Sequence, residues 1–493
     1  MVLSRLNKHR TCIHVVVLIG VFFILGGSLP SGIVQASSDE TPAPFCRFGL
    51  NHNVLTGELA SIPTEPLRAS FFMDYQATPP SKPAHMEHYR MVRLKQPDRN
   101  STNYTVSPSA NSIRALAQAN PGSVWLIGNE IDRIRWQDDM MPAAYARAYH
   151  ELYHLLRDAD PSARIVAGNI VQVSPLRLRY LDLVLEAYRS MYGQPMPIDI
   201  WGIHTFILRE KRGDWGAEIP PGVDATEGWL LEPNQNADVG IFQQQIIDFR
   251  RWMHKNGYRD NPLYITEYGV LIGPPWIAVQ DVINFMTASF DYMLNTRDLT
   301  IGYPADNYRL VQNFSWYSVN DKLTYANGQW VGGYNGYLFE PDRGNQRSEM
   351  GDAYAAYTAR LQPQIDMLPV RIMVEPASLL RTTEPVTLTV NVQVANAGNT
   401  MSKQNFTLRI YNGAPDNGGV LLDGAELTGS LAGCGQSTWI SYIWRDVPSD
   451  LYTLYAEVTA DGRDDEPANN RIHQVVLFAD EQVFLPSIVS QVQ

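Results

Sequence analysis

From Phe45 to about Leu361 short apolar runs alternate with amphipathic stretches, and this alternation constrains the fold more than any other feature of the sequence. Eight segments read as strands: residues 47–51, 69–75, 88–94, 123–129, 163–169, 198–204, 262–268 and 311–317. The later ones, such as Val124-Trp125-Leu126-Ile127 and Leu263-Tyr264-Ile265, are nearly continuous apolar runs. Strands buried on both faces look like this, as in a parallel sheet covered by helices. Helical periodicity fills the gaps at residues 112–119, 142–158, 178–192, 241–256, 278–294 and 352–361. Eight such units predict an α/β fold, a (β/α)8 TIM barrel over residues 45–362. The first units are irregular, because the proline-rich stretch 76–84 leaves no room for a second helix.

After Pro363 the pattern changes to short β-type segments at 370–374, 386–394, 406–411, 439–444, 452–458 and 472–478. Turns such as Asn412-Gly413-Ala414-Pro415-Asp416 separate them, which predicts a small all-β sandwich over 366–480 and a tail at 481–493. At the other end, Arg5, Lys8 and Arg10 precede an apolar run from Val15 to Gly27, followed by Val34-Gln35-Ala36. That order predicts a signal peptide over 1–36, a linker at 37–44 and a secreted or cell-surface protein. An uncleaved N-terminal anchor is the alternative, although the run is shorter than the ~20 residues a spanning helix needs. The mature chain is expected to carry no membrane-spanning segment and to act as a monomer. Net charge is −12 with no basic block, which argues against nucleic acid or an anionic membrane as partner. Of the three cysteines, Cys46 and Cys434 lie beyond the signal segment. Two thiols make neither a disulfide framework nor a zinc cluster, and one bridge between the two regions stays open.

In a barrel of this kind the active residues sit at the C-terminal ends of the strands. Strand four ends Gly128-Asn129-Glu130, strand six ends Gly202-Ile203-His204, strand seven ends Thr266-Glu267-Tyr268-Gly269, and strand eight ends Phe314-Ser315-Trp316-Tyr317. Two carboxylates therefore reach one rim. Glycosidic bond cleavage needs such a pair, one to protonate the leaving oxygen and one on the other face of the sugar.

Gly128-Asn129-Glu130 and Thr266-Glu267-Tyr268-Gly269 resemble, in order and spacing, the motifs of clan A of the glycoside hydrolases, which includes cellulases, mannanases and β-xylosidases. The resemblance covers residues 45–362. It implies a retaining enzyme for β-linked glycans with Glu130 as general acid/base and Glu267 as nucleophile. It also implies that Asn129 bonds the sugar 2-OH, that Trp316 floors the −1 subsite, and that His204 lies near the nucleophile. No cofactor is implied. The arginine that the clan carries near strand two has only Arg90 and Arg93 as candidates here. Physically, an acid among apolar walls has its pKa raised, so Glu130 is expected to stay protonated near neutral pH while Glu267 is ionised. The plain alternative makes Glu130 an ion-pair partner of Arg133 or Arg135.

Val386-Thr387-Leu388-Thr389-Val390, Ala397-Gly398-Asn399 and Asn469-Asn470 resemble a CARDB-type immunoglobulin-like module, which implies a spacer or adhesion role. Its acidic loop 461–466 reads as a solvated turn before a calcium site. His150-Glu151-Leu152-Tyr153-His154 matches the H-E-x-x-H zinc-protease pattern. The helical wheel opposes that reading, since Tyr145, Ala148, Tyr149, Leu152, Leu155, Leu156 and Ala159 form the apolar stripe and the histidines lie off it. His85-Met86-Glu87-His88 lacks further ligands. Trp215, Trp229, Trp276, Trp330, Tyr334 and Tyr337 fall in loops after strands six to eight, where they either line further sugar subsites or pack the loops. A non-catalytic carbohydrate-binding or surface-adhesion protein on a barrel scaffold is the rival reading.

Overall fold

The computed structural model describes residues 43–480 apart from residues 80, 136, 327–328, 403–404 and 428–430. The expected signal segment, most of the linker and the tail 481–493 lie outside the described residues. Those described belong to one compact unit. Among them no helix is long and apolar enough to cross a membrane.

The first half is a curled sheet of parallel staves. Strands β1 (Phe45–Asn51), β2 (Ala69–Met73), β3 (Glu87–His88), β4 (Arg90–Lys95), β5 (Thr105–Ser107), β6 (Val124–Ile127), β7 (Arg164–Ile170), β8 (Ile200–His204), β9 (Leu263–Tyr268) and β10 (Asn313–Tyr317) form one sheet. Its order is β3-β2-β1-β10-β9-β8-β7-β6-β4-β5. Only Tyr89 separates β3 from β4, so β2 and β6 flank the same stretch of chain and the sheet curls back on itself. The eight staves fall where the apolar runs predict. Only the edge hairpin partner β5, which runs antiparallel to β4, is additional.

Helices α1 (Ala110–Ala119), α2 (Pro142–Ala159), α3 (Pro175–Tyr192), α4 (Val239–Lys255), α5 (Val279–Asn295) and α6 (Glu349–Arg360) follow the third to eighth staves. Short 3-10 turns replace a helix after β1, and among the described residues no helix follows β2, as the prolines require. Alternate residues of each strand face opposite sides. In β6, Val124 and Leu126 join Phe71, Met73, Tyr89 and Met91 inside the curl, whereas Trp125 and Ile127 join the larger core under the helices. Both faces are thus buried, which is why these strands read as continuous apolar runs. Two hairpins, β11 (Leu323–Ala326) with β12 (Gln329–Gly332) and β13 (Phe339–Glu340) with β14 (Gln346–Arg347), lie in the loop between β10 and α6.

The second half holds β15 (Met367–Glu375), β16 (Val386–Asn396), β17 (Phe406–Asn412), β18 (Val420–Leu427), β19 (Gln436–Val447), β20 (Leu451–Ala460) and β21 (Arg471–Leu477). They form two antiparallel sheets, β15-β16-β19 and β18-β17-β20-β21, that share a core of Val390, Val392, Leu408, Ile410, Leu454 and Val458. β18 has no counterpart in the sequence reading, because Asp423-Gly424 interrupts its apolar pattern. A seam joins the halves. Arg47 pairs with Asp306 at 2.6 Å and donates to the Ala397 carbonyl at 3.1 Å, as does Arg309 at 3.0 Å. Beside them Cys46 and Cys434 form a disulfide.

Candidate active site

Irregularities in the staves aim the side chains of the site. Between β8 and β9 the register steps from Ile203↔Ile265 to His204↔Glu267, and between β10 and β9 from Phe314↔Ile265 to Trp316↔Tyr268. Both neighbours find one extra residue in β9. This bulge lets Thr266 and Glu267 both address the interior, while Tyr268 returns to the outer core. A second extra residue lies in β7, where Gly168↔Gly202 is followed by Ile170↔Ile203 and Asn169 takes a φ of 51°. After β6, Glu130 itself has a φ of 42°, a left-handed conformation rare for a side chain of this size and commonest at functional sites.

Glu130, His204 and Glu267 converge. They are 2%, 0% and 5% exposed, and one ligand atom of each lies within 4.8 Å of those of the other two. The imidazole stands between the carboxylates, with Nδ1 3.5 Å from Glu130 Oε1 and Nε2 3.3 Å from Glu267 Oε1. Neither nitrogen has an aligned hydrogen bond, and Glu267 Oε1 has none either. Arg133 Nη1 donates to Glu130 Oε2 at 2.9 Å. Of the two ion-pair partners considered for Glu130, the structure supplies Arg133.

The charges follow from these neighbours. Burial alone would push the Glu130 carboxyl up, but the Arg133 guanidinium and His204 outweigh it and hold it down at about 2. Burial pushes Glu267 up to about 7; the Glu130 charge adds to this, and His204, Tyr75 and Arg93 pull it back. Burial would lower the His204 pKa, but Glu267 and Glu130 outweigh it and raise it. This corrects the expectation that Glu130 holds the proton near neutral pH. The Arg133 guanidinium bonds Glu130 directly and has no counterpart bonded to Glu267, so the order of the two carboxyls is reversed.

Asn129 is 1% exposed and donates from Nδ2 to Gln137 Oε1 at 3.3 Å, leaving its Oδ1 without a partner. Gln137 also accepts from Arg93, which pairs with Asp138 at 2.7 Å. Of the two arginine candidates Arg93 is therefore the one near the rim. Arg90, at the start of β4, donates to the Ala77 carbonyl at 2.6 Å and faces Trp125.

Trp316 does not floor a subsite. It is fully buried in the outer core against Tyr268, Phe285 and Phe290, and its Nε1 donates to the Gly336 carbonyl at 2.7 Å. One step along a strand reverses the face. The aromatic facing the site is Tyr317, whose hydroxyl donates to Asp321 and whose ring lies 6.0 Å from Phe206 and 5.7 Å from Tyr334. Of the loop aromatics singled out in the sequence, Tyr334 thus borders the site. Trp215 and Trp276 stand exposed, and the side chain of Trp330 lies outside the described set.

Several neighbours of the site escaped the sequence reading. Asn51, at the end of β1, donates to the Thr266 carbonyl at 3.0 Å and to Ser315 Oγ at 2.9 Å, and Tyr75 donates to its Oδ1 at 3.3 Å. Asn169 donates to the Gly128 carbonyl and accepts from Thr266 Oγ1, both at 3.0 Å, so it ties the backbone before Glu130 to the residue before Glu267. Behind the Glu130 loop, buried Arg177 bridges Asp132 and Glu210. The H-E-x-x-H histidines lie elsewhere: His150 stacks on Tyr192 and bonds the Tyr188 hydroxyl at 2.8 Å. Among the described residues, Glu130, His204 and Glu267 form the one group of three or more such side chains spaced to hold a metal ion.

No protein-family model matches this chain. A search of curated proteins finds no match either. Among solved structures, the chain is similar to a curdlan-specific exo-β-1,3-glucanase from Blastomyces gilchristii at 16% identity and a TM-score of 0.38, over 63% of this chain and 97% of the other. It is also similar to a monomeric β-xylosidase from Caulobacter crescentus at 11% identity and a TM-score of 0.39, over 82% and 95%. A CARDB domain from Pyrococcus furiosus aligns at 18% identity and a TM-score of 0.19, over 24% of this chain and all of its own.

Proposed function

We propose that this chain is a glycoside hydrolase on a (β/α)8 barrel that cleaves β-linked poly- or oligosaccharides by double displacement. The observation that carries the reading is the meeting of two buried carboxylates, Glu130 and Glu267, from the fourth and seventh staves, with oxygens within 4.8 Å. Retaining glycosidases hold their carboxyls ~5–5.5 Å apart, whereas inverting ones need ~6.5–9.5 Å to admit a water. The short spacing supports retention.

On this reading Glu130 protonates the glycosidic oxygen while a Glu267 oxygen attacks the anomeric carbon and the carbon–oxygen bond breaks. Glu130 then takes a proton from water, which attacks the same carbon and releases Glu267. The resting proton lies on the Glu267 side, so it must cross. His204 supports a path, because it can accept at Nε2 facing Glu267 and donate from Nδ1 facing Glu130. The reversed carboxyl order favours a second assignment with the two roles exchanged. Azide added to Glu130→Ala and Glu267→Ala separates the two. The nucleophile variant should yield the inverted glycosyl azide and the acid/base variant the retained one.

Glu267→Gln tests the reading as a whole. Hydrolysis of aryl β-glycosides, β-glucan, mannan and xylan should fall by about 10³-fold or more with the fold intact. Unchanged hydrolysis, or none in the parent on any substrate, would favour the rival carbohydrate-binding protein. The second half is proposed as an accessory sandwich. The Cys46–Cys434 disulfide supports action in an oxidising compartment outside the cytoplasm.

A further inference from the structure

We infer that the glycan cleaved at this site is anionic, with carboxylate or sulfate groups on the sugars that flank the scissile bond on the Glu130 side. This rests on the hydrolase reading and names the substrate class of that same site. A cavity of about 620 Å³ lies against the loop that carries Glu130, lined in part by Arg93, Lys95, Arg135, Gln137, Asp138 and Asp139. Its inner wall belongs to the candidate site. Asp138 Oδ2 accepts from the Asn129 N–H at 2.9 Å, and Gln137 Oε1 accepts from Asn129 Nδ2 at 3.3 Å. A second cavity of about 480 Å³ shares Arg135 and adds Arg99 and Arg212.

Together the two linings hold five cations and two carboxylates, in a chain whose net charge is −12. Both carboxylates are neutralised where they stand. Asp138, 3% exposed, accepts from Arg93 and from the Leu94 and Asn129 N–H groups. Asp139 pairs with Arg99 and accepts from the Arg135 N–H at 3.0 Å. Lys95 and Arg135 are exposed, and among the described residues neither pairs with a carboxylate. Cations left unpaired along a cleft concentrate anions there, and a guanidinium presents the planar fork that a carboxylate matches. A neutral glycan offers these charges no partner. The same loop holds left-handed backbone at Glu130, Arg135 and Asp139, with φ of 42°, 70° and 52°. Such conformations gather where a ligand is clamped.

Calorimetric titration of the full chain carrying Glu267→Gln, which keeps the probe whole, tests the inference. Oligo-β-mannuronate is the carboxylate probe, a sulfated cello-oligosaccharide the sulfate probe, and cello-, manno- and xylo-oligosaccharides are the neutral probes. A charged probe is expected to bind about tenfold or more tighter than any neutral one and to weaken several-fold as salt rises. The charged probe that binds tighter identifies the anionic group. Lys95→Gln combined with Arg135→Gln should weaken that probe about tenfold, whereas Arg381→Gln, which lies in the second half beside Asp480, should leave it unchanged. Circular dichroism melts establish that the double variant is folded; if it is not, the salt dependence decides. Charged probes that fail to bind, that bind no tighter than neutral ones, or that ignore salt or the folded double variant would overturn the inference. Turnover by the parent chain separates it from the reading beneath it. Preference for neutral glycans in hydrolysis removes this inference alone. Salt-sensitive binding of a charged probe with no cleavage of any glycan removes the hydrolase reading and leaves an anion-binding groove.

Discussion

Glu130 and Glu267 share one proton over a wide range of pH, because Arg133 holds the first at about 2 and burial lifts the second to about 7. Limbs of a pH profile belong to such a pair and not to either residue. If the pair is catalytic, kcat/KM should be bell-shaped with limbs near these two values. Replacing Arg133 by Gln removes the cation that opposes burial at Glu130. The acid limb should then move to higher pH, which a pH–rate profile of the variant checks. Stability carries an opposite signature at Glu267. Its folded pKa exceeds that of the unfolded chain, so the native state binds more protons between about 4.5 and 7, and stability falls as pH rises through that window. Glu267→Gln should therefore be more stable than the parent at pH 7.5, by about 2–3 kcal/mol at most, and equal to it near pH 4. Urea unfolding at the two pH values gives the comparison.

Bulges at the scale of the strand decide which residues the site receives. Asn169, 0% exposed and placed by the extra residue in β7, holds the ends of β6 and β9 together. Asn169→Ala should cost about 1–3 kcal/mol and lower kcat more than it raises KM, measured by denaturation and steady-state kinetics. The same feature explains what the sequence could not express. The staves are legible because both faces of each are apolar, and Glu130, His204 and Glu267 are legible because they end staves. Trp316 lies one residue off the face that the sequence suggests, since the face a strand-end side chain takes depends on a register that a local pattern does not contain. Asn51, Tyr75 and Asn169 were within reach, because the strand-end rule applied to β1, β2 and β7 points at them. Arg133 was visible only as a neighbour in sequence. That it reverses the carboxyl order depends on a distance.

At the scale of the molecule, two regions of unlike pattern meet along one polar seam. Arg47 and Arg309 reach from the curled sheet to the Ala397 carbonyl, and Asp306 neutralises both. The Ala397-Gly398-Asn399 turn, singled out in the sequence as a module signature, is therefore spent on docking. Cys46 and Cys434 reinforce this seam over a separation of 388 residues. In a chain-entropy view a bridge closing so long a loop stabilises by about 6 kcal/mol as a ceiling. The Cys46→Ser, Cys434→Ser double variant should lower the unfolding free energy by about 2–5 kcal/mol in denaturant titrations.

That bridge has a further consequence for proteolysis. Both carboxylates, every stave after the first residues of β1, and the strands up to β18 lie between the two cysteines. A protease that cuts once anywhere in this stretch leaves all the pieces covalently attached. On a gel the nicked protein should keep its full mass without reductant and split into two fragments with it, so a single cut neither frees the curled sheet from the antiparallel sheets nor separates Glu130 from Glu267.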